Sequence, residues 1–416
     1  MRRLYGFFFW VFTLLFKGVA LFHPRARKMV RGQRDSWRML KEKLRPEKRY
    51  LWFHASSIGE FEQGRPVLEA IRARHPEYEI LLTFYSPSGE AFRNYDKASL
   101  VCYLPFDRLH NAERFLQTVK PVAAFFIKYE FWPNYLLSLK EMNVPTYLIS
   151  GIFRPGQLFF KPWAVLHRQM LRCFTFFFVQ NRDSYDLLAR AGLAERAAVT
   201  GDTRCDRVIE VAGQAKNLPL IEAFVSAHAE GLVWVAGSTW PTDEELVIPY
   251  FNTHPAMKLI IAPRRIDPHR LQEIEARLER PFIRYTQLTE ANAGSADCIL
   301  VDCIGLLSSI YRYADLAYVG GGIGSIGLHN VLEPAVYGKA VVFGNVYDKF
   351  EEAKGLLAAN GGASIADLQQ LTRCLDRWIE EPALMEQAGR NAGDFVYASA
   401  GAAGKILDEL EKSAWA

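Results

Sequence analysis

The chain has 416 residues, half of them apolar, 13% aromatic and 23% charged, a globular composition that suits two domains of ordinary size and excludes wholesale disorder. Its six cysteines include no Cys-x-x-Cys pair and its nine histidines no His-Glu-x-x-His set, so neither a disulfide framework nor a metal site is predicted, and a reducing compartment fits. The net charge of +4 is uneven: residues 1 to 50 hold 14 Lys and Arg against three acids, a balance of +11, which leaves −7 on the remaining 366 residues; no nucleic-acid partner is expected of the main body.

The chain opens "MRRLYGFFFWVFTLLFKGVALFHPRARK": two arginines, an aromatic-rich stretch from Leu4 to Phe22 broken by Lys17, then a basic run. No small-x-small cleavage pattern follows the apolar stretch. Residues 1–34 are therefore predicted to be an uncleaved membrane anchor with a basic juxtamembrane segment, the alternative reading being a buried N-terminal helix. The anchor either spans the bilayer or lies in its plane, its Arg and Lys facing anionic headgroups, with the following domain on the cytoplasmic side of the membrane.

From residue 50 short apolar runs alternate with amphipathic text, which predicts a parallel sheet covered by helices on both faces. Strands are expected at 50–54, 79–83, 101–105, 122–127, 146–150 and 174–180, with helices at 111–119 and 184–191. Residues 206–230 offer helical and polar text without a strand and read as a linker. A second series follows at 232–237, 258–263, 298–302, 316–321 and 340–344, and residues from Asp367 onward read as helices only. The predicted organisation is an N-terminal Rossmann-like domain at 35–205, a C-terminal one at 231–395 and a final helix at 396–416 that returns to the first domain. Two doubly wound α/β domains side by side leave a central cleft lined by strand carboxyl ends, where ligands of such sheets bind.

The polar motifs sit at those strand ends. In "HASSIGEFE" (54–62) Glu60 admits two readings: it complements the positive end of a helix capped by Ser56 or Ser57, or it accepts a proton from an incoming hydroxyl, Gly59 allowing the sharp turn. In "KYEFWPN" (128–134) Glu130 stands at a second strand-to-helix junction, with Pro133 in the first turn; it is either a member of a carboxylate pair or a partner for a local cation. The aromatic and basic segment "FRPGQLFFKPW" (153–163) reads as a core helix or as a second lipid-facing site. "TGDTRCD" (200–206) puts Arg204 where a cation can reach a leaving group, and "IIAPRRIDPHR" (260–270) places Arg264 at a strand end. "VGGGIGSIGLHNVLEP" (319–334) follows a strand with Gly320, Gly321 and Gly322, whose small size permits backbone N–H groups to approach a phosphate, and a helix start at or after Asn330 adds its dipole. It matches neither the Rossmann spacing nor the P-loop. Asn330 with Glu333 is either a capping box or a holder of ribose hydroxyls.

Together these stretches resemble the 3-deoxy-D-manno-octulosonate (Kdo) transferases of lipid A biosynthesis, membrane-anchored glycosyltransferases of the GT-B fold; six motifs occur in order from the N-terminus to about residue 360. The resemblance implies that Glu60 of "SIGE" is the catalytic base, that Glu130 of "EFWPN" also serves catalysis, and that Arg204 stands where the family usually has Lys. It assigns Pro263, Arg264, Asn330, Val331, Leu332 and Glu333 to the nucleotide side. Where many members have Gly-Glu-Leu, this chain has Gly305-Leu306-Leu307, so contact there must come from backbone. CMP-Kdo as donor, the 6′-hydroxyl of a lipid A precursor as acceptor, transfer with inversion, no metal or other cofactor, and residence at the inner membrane are implied with it. Two rivals are another GT-B nucleotide-sugar enzyme, such as an epimerase, which needs no anchor, and a non-catalytic membrane-bound lipid or nucleotide binder, which has no use for the three glutamates.

Overall fold

The computed structural model describes residues 1–227 and 231–412; the parts of the expected linker and last helix at 228–230 and 413–416 lie outside the described residues. The chain divides into two compact units, Met1–Arg207 joined by the segment from Ala400, and Val208–Ser399.

The first unit is built on β1 (Arg49–Ala55), β2 (Tyr78–Phe84), β3 (Leu100–Tyr103), β4 (Ala123–Ile127), β5 (Thr146–Gly151), β6 (Phe176–Val179) and β7 (Ala197–Val199), all parallel in the order β3-β2-β1-β4-β5-β6-β7. The inner strands are apolar on both faces, as sheets covered on two sides require: every residue of β1 after Arg49 is buried. Aromatic rings fill both layers. Trp52 packs 4.9 Å from Phe115 and 5.2 Å from Phe126 on one face, while Phe53 stacks at 4.5 Å on Phe125 on the other, arrangements that add about 0.5–1.5 kcal/mol each beyond area burial.

The second unit carries β8 (Leu232–Thr239), β9 (Met257–Pro263), β10 (Phe282–Arg284), β11 (Cys298–Leu300), β12 (Leu316–Val319), β13 (Ala340–Gly344) and β14 (Gly362–Ile365), parallel in the order β10-β11-β9-β8-β12-β13-β14. Three strands were not expected from sequence: β7, β10 and β14. Each is a short edge strand of three or four residues, too short and too mixed to give a periodic signal. The segment 174–180 contributes a strand only over Phe176–Val179. The last helix, Ala402–Glu411, belongs to the first unit, where Glu411 pairs with Arg74 at 2.6 Å.

The N-terminus departs from its sequence reading in two ways. Helix α1 (Arg2–Phe22) is long and apolar enough to cross a membrane, yet one side of it is docked on the first unit. Arg2 reaches Asn134, Ser138 and Glu141 of the helix Pro133–Glu141, Tyr5 donates to Asp107 at 2.9 Å, and Phe16 packs 5.6 Å from Phe106. The opposite side, including Phe8, Leu15 and Phe22, is exposed. Arg2 thus faces protein and not headgroups, and Arg27 donates to the carbonyls of Ala20 and Leu21, closing the end of α1. Helix α2 (Pro24–Lys43) runs through the boundary placed at residue 34. It covers the free edge of β3: the Ser36 hydroxyl accepts the Tyr103 amide at 2.9 Å and Gln33 that of Phe106 at 3.2 Å. Any side chain at Gly32 would collide with the Tyr103 ring. An edge strand needs such cover, so α2 is part of the domain and not a tether.

Candidate active site

In an open parallel sheet the strand order reverses at one point, and ligands bind outside the carboxyl ends of the strands there. In the first unit that point lies between β1 and β4, which pair directly, His54 opposite Phe126. Glu60 follows β1 and Glu130 follows β4. The two singled-out carboxylates therefore stand after the two strands that flank the reversal.

Glu60 lies in the first turn of α3 (Ile58–Arg74), whose N-cap is Ser57. The Ser57 side chain makes no capping bond to the helix backbone; its hydroxyl donates to the Glu60 carboxylate instead. Serine capping of the backbone is thus not what this turn uses, although Glu60 still complements the helix dipole. Glu60 remains partly exposed.

Glu130 is only 5% exposed and is held from two directions. Its Oε2 accepts the Trp132 indole N–H at 2.7 Å and lies 3.1 Å from His54 Nε2. The His54 ring is itself fully buried, with Nδ1 2.9 Å from Thr83 Oγ1 and 3.1 Å from the Thr83 carbonyl. A carbonyl only accepts, so Nδ1 carries a hydrogen. The Trp132 indole N–H also points to His54 Nε2 at 3.0 Å, so one donor is shared by the imidazole and the carboxylate. Trp52 anchors the far end, donating to Thr83 Oγ1 at 2.8 Å.

Arg204 opens a helix whose first residue, Thr203, bonds to Ser150 Oγ at 2.7 Å and to the Gln63 carbonyl, one turn along α3 from Glu60. Arg207 pairs with Glu62 at 2.8 Å. These links bring Arg204 to the same sheet edge as Glu60. Its guanidinium is engaged by Asp202 at 2.5 and 2.9 Å. Burial pushes the Asp202 carboxyl up, but the Arg204 charge and hydrogen bonds, with Lys128 adding to them, outweigh this and hold it below the usual range. Lys128 itself has φ +65°, a left-handed conformation that turns the chain sharply from β4 toward Glu130.

In the second unit the reversal lies between β8 and β12, and the glycine-rich stretch follows β12. Its glycines serve the protein's own packing more than the sequence reading expects. The Gly321 amide donates to Asp243 at 2.9 Å, and added Cβ atoms would strike Gly327 from Gly321 and Gly344 from Gly322. Asp243, fully buried, also accepts from the Trp240 amide at 2.8 Å and Tyr318 hydroxyl at 2.8 Å; burial raises its carboxyl above the ordinary value while these donors limit the rise. The Trp240 indole donates to His329 Nε2 at 3.0 Å with the rings near parallel. Burial first, and the Arg264 charge second, pull the His329 imidazole down to about 4, which places Arg264, exposed just past Pro263 at the end of β9, beside this loop.

The expected helix after Asn330 is one turn, Leu332–Ala335, too short to supply much dipole. Asn330 accepts the Leu332 amide at 3.2 Å and its Nδ2 lies 3.4 Å from Glu333 Oε1, with Val331 buried beneath. Gly305 takes φ +87° in an exposed turn, Leu306 caps the turn Leu307–Ile310, and Leu307 abuts Gly237 at the end of β8, where no side chain fits. The nucleotide-side candidates therefore share one edge of the second sheet, and those of the first unit share one edge of the first. Sequence reasoning gave no role to His54, Lys128, Trp132, Trp240, Asp243 or His329. His54, Lys128, Trp132 and His329 stood inside quoted motifs, and the polar Ser-Thr-Trp run at and just past the end of β8 was the available signal for Trp240.

Two open parallel sheets of seven strands, each with its polar residues at the reversal, define the GT-B class. The chain covers 88% of its length and all of a UDP-GlcNAc 2-epimerase from Neisseria meningitidis at a TM-score of 0.63 and 15% identity, a likeness of fold. Residues 32–207 match the family model described as 3-Deoxy-D-manno-octulosonic-acid transferase (kdotransferase). A 3-deoxy-D-manno-octulosonic acid transferase of Aquifex aeolicus is 29% identical over 327 residues, 77% of this chain and 83% of the relative. A bifunctional glycosyltransferase/methyltransferase of Fusobacterium nucleatum is 26% identical over 79% of this chain, which spans only 52% of that longer protein. The protein is a glycosyltransferase whose similarity, at 23–29% identity over most of the chain, is to Kdo transferases.

Proposed function

We propose that the protein transfers Kdo from CMP-Kdo to the 6′-hydroxyl of a lipid A precursor, with inversion, as a step of lipopolysaccharide assembly. The observation that carries the reading is the contrast between two carboxylates at one sheet edge: Glu60, partly exposed and touched by Ser57, and Glu130, buried between His54 and Trp132. Only the first is open to an incoming hydroxyl. Glu60 removes the acceptor proton as the hydroxyl oxygen forms a bond to the anomeric carbon; the bond from that carbon to the CMP phosphate oxygen breaks, and CMP departs with the electron pair. Arg264 offers charge to the departing phosphate, with Arg204 as the alternative, its charge shared with Asp202. Asn330 and Glu333 serve the ribose. No step is assigned to a metal or other cofactor.

The reading places the protein at the inner membrane, on its cytoplasmic face; the exposed apolar side of α1 supports attachment to a membrane. Because the other side is docked through Arg2, Tyr5 and Phe16, the helix suits the interfacial plane better than a span. Incubation with CMP-Kdo and a tetraacyl lipid A precursor, followed by mass spectrometry, tests the reaction. A lipid heavier by Kdo residues is expected. An unmodified lipid, or equal transfer from a UDP-sugar, would overturn the assignment.

A further inference from the structure

The segment 153–163 is neither a core helix nor featureless. It folds as a loop with one turn, Leu158–Phe160, and walls an open cavity of about 530 Å³ against the helices Val165–Leu171 and Arg182–Arg190. That volume is in the range of small-molecule sites. The floor is apolar: Phe159, Phe160 and Leu171. Arg168, Arg172 and Arg190 stand around it, all three exposed; Arg168 reaches the Pro162 carbonyl at 3.4 Å, and among the described residues no ion pair to a carboxylate is found for any of the three. Three like charges gathered on one concavity repel one another unless an anion joins them. Beside the cavity Leu158, Trp163 (70% exposed) and Val165 present apolar surface to the outside.

We infer that this cavity binds a phosphate-bearing acylated lipid, its phosphate among the three arginines and its chain along Phe159 and Phe160. An inorganic anion would leave the aromatic floor unused, and an uncharged chain would leave the three positive charges without a counter-charge. The cavity also touches the active-site segment, since Phe159 packs 4.4 Å from Phe131, the residue after Glu130. Two membrane sources share this chemistry: the phosphorylated acceptor glycolipid, whose identification rests on the proposed function, and an ordinary anionic phospholipid.

The test is photolabelling of the full-length protein in maltoside micelles with phosphatidylglycerol bearing a diazirine acyl chain, read by peptide mass spectrometry, which needs no transfer activity. Labels on peptides 155–172 and 187–193 are expected. Arg168→Ala, Arg172→Ala and Arg190→Ala should each lower that labelling about fivefold, while labels on α1 and the melting temperature stay unchanged. Phe159→Ser should lower it with the arginines intact. Competition then names the source: displacement at lower concentration by unlabelled tetraacyl precursor marks the acceptor, and by unlabelled phosphatidylglycerol the phospholipid. Labelling of these peptides that is unchanged in all the variants, equal with a phosphatidylcholine probe, or abolished by inorganic phosphate would overturn the inference.

Discussion

His54 Nε2 lies 3.1 Å from Glu130 Oε2, with both side chains buried, and the pair joins the strands β1 and β4 at the reversal of the first sheet. Glu130 is thereby oriented as well as shielded. His54→Phe keeps the ring volume but leaves the carboxylate to Trp132 alone. It should cost about 1–3 kcal/mol of stability, as for a buried polar group losing a partner, seen as a lower melting temperature, and should lower turnover. His54→Gln, which restores a donor, should recover most of the stability. Equal melting temperatures for His54→Phe and wild type would show that the contact is not formed in solution.

Glu60→Gln keeps the size and polarity of the side chain at the helix start but cannot take a proton. If Glu60 is the base, turnover should fall by about two to four orders of magnitude with little change in melting temperature or CMP-Kdo affinity. Turnover within a few-fold of wild type would remove Glu60 from the mechanism.

The two N-terminal helices should separate cleanly by deletion. Without residues 1–22 the protein should fold and sediment far less with uncharged phosphatidylcholine vesicles, because α1 contributes one docked side to the first unit while its other side is exposed. Without residues 1–43 it should aggregate, since the β3 edge loses Gln33 and Ser36. Soluble, monomeric protein from the longer deletion would refute the covering role of α2.

Burial and the Arg264 charge hold His329 at about 4, below its value in an unfolded chain. The unfolded state then takes up a proton between about pH 6.5 and 4 that the folded state refuses. The associated stability is fully present above pH 6.5 and is lost as pH falls toward 4. His329→Gln should lack this slope, so the difference in melting temperature between wild type and variant should shrink across that window. Arg264→Ala, which removes the second cause, should raise the lower edge of the window and leave its upper edge in place. Parallel melting curves for wild type and His329→Gln from pH 4 to 7 would contradict the buried, neutral imidazole.

Much of this was legible in the chain itself. Apolar runs such as Ala123–Ile127, followed by a polar turn and an amphipathic helix, specify buried parallel strands because a strand covered on both faces has no polar side. A carboxylate placed just past such a run, as Glu60 and Glu130 are, must stand at a strand end, so the candidate chemistry could be located by local pattern alone. What local pattern cannot convey is adjacency across the sheet. His54 and Glu130 are 76 residues apart and meet only because β4 pairs with β1 on the side opposite β2. Arg2 follows the same logic: beside an apolar stretch it reads as a headgroup contact, but tertiary packing brings it to Glu141, 139 residues away. The arginines of the lipid cavity are likewise spread over two helices and read singly as surface charge. Side-chain periodicity reports how much each segment must bury, whereas ion pairs, long-range hydrogen bonds and cavities arise between segments, and only the folded chain decides which segments are neighbours.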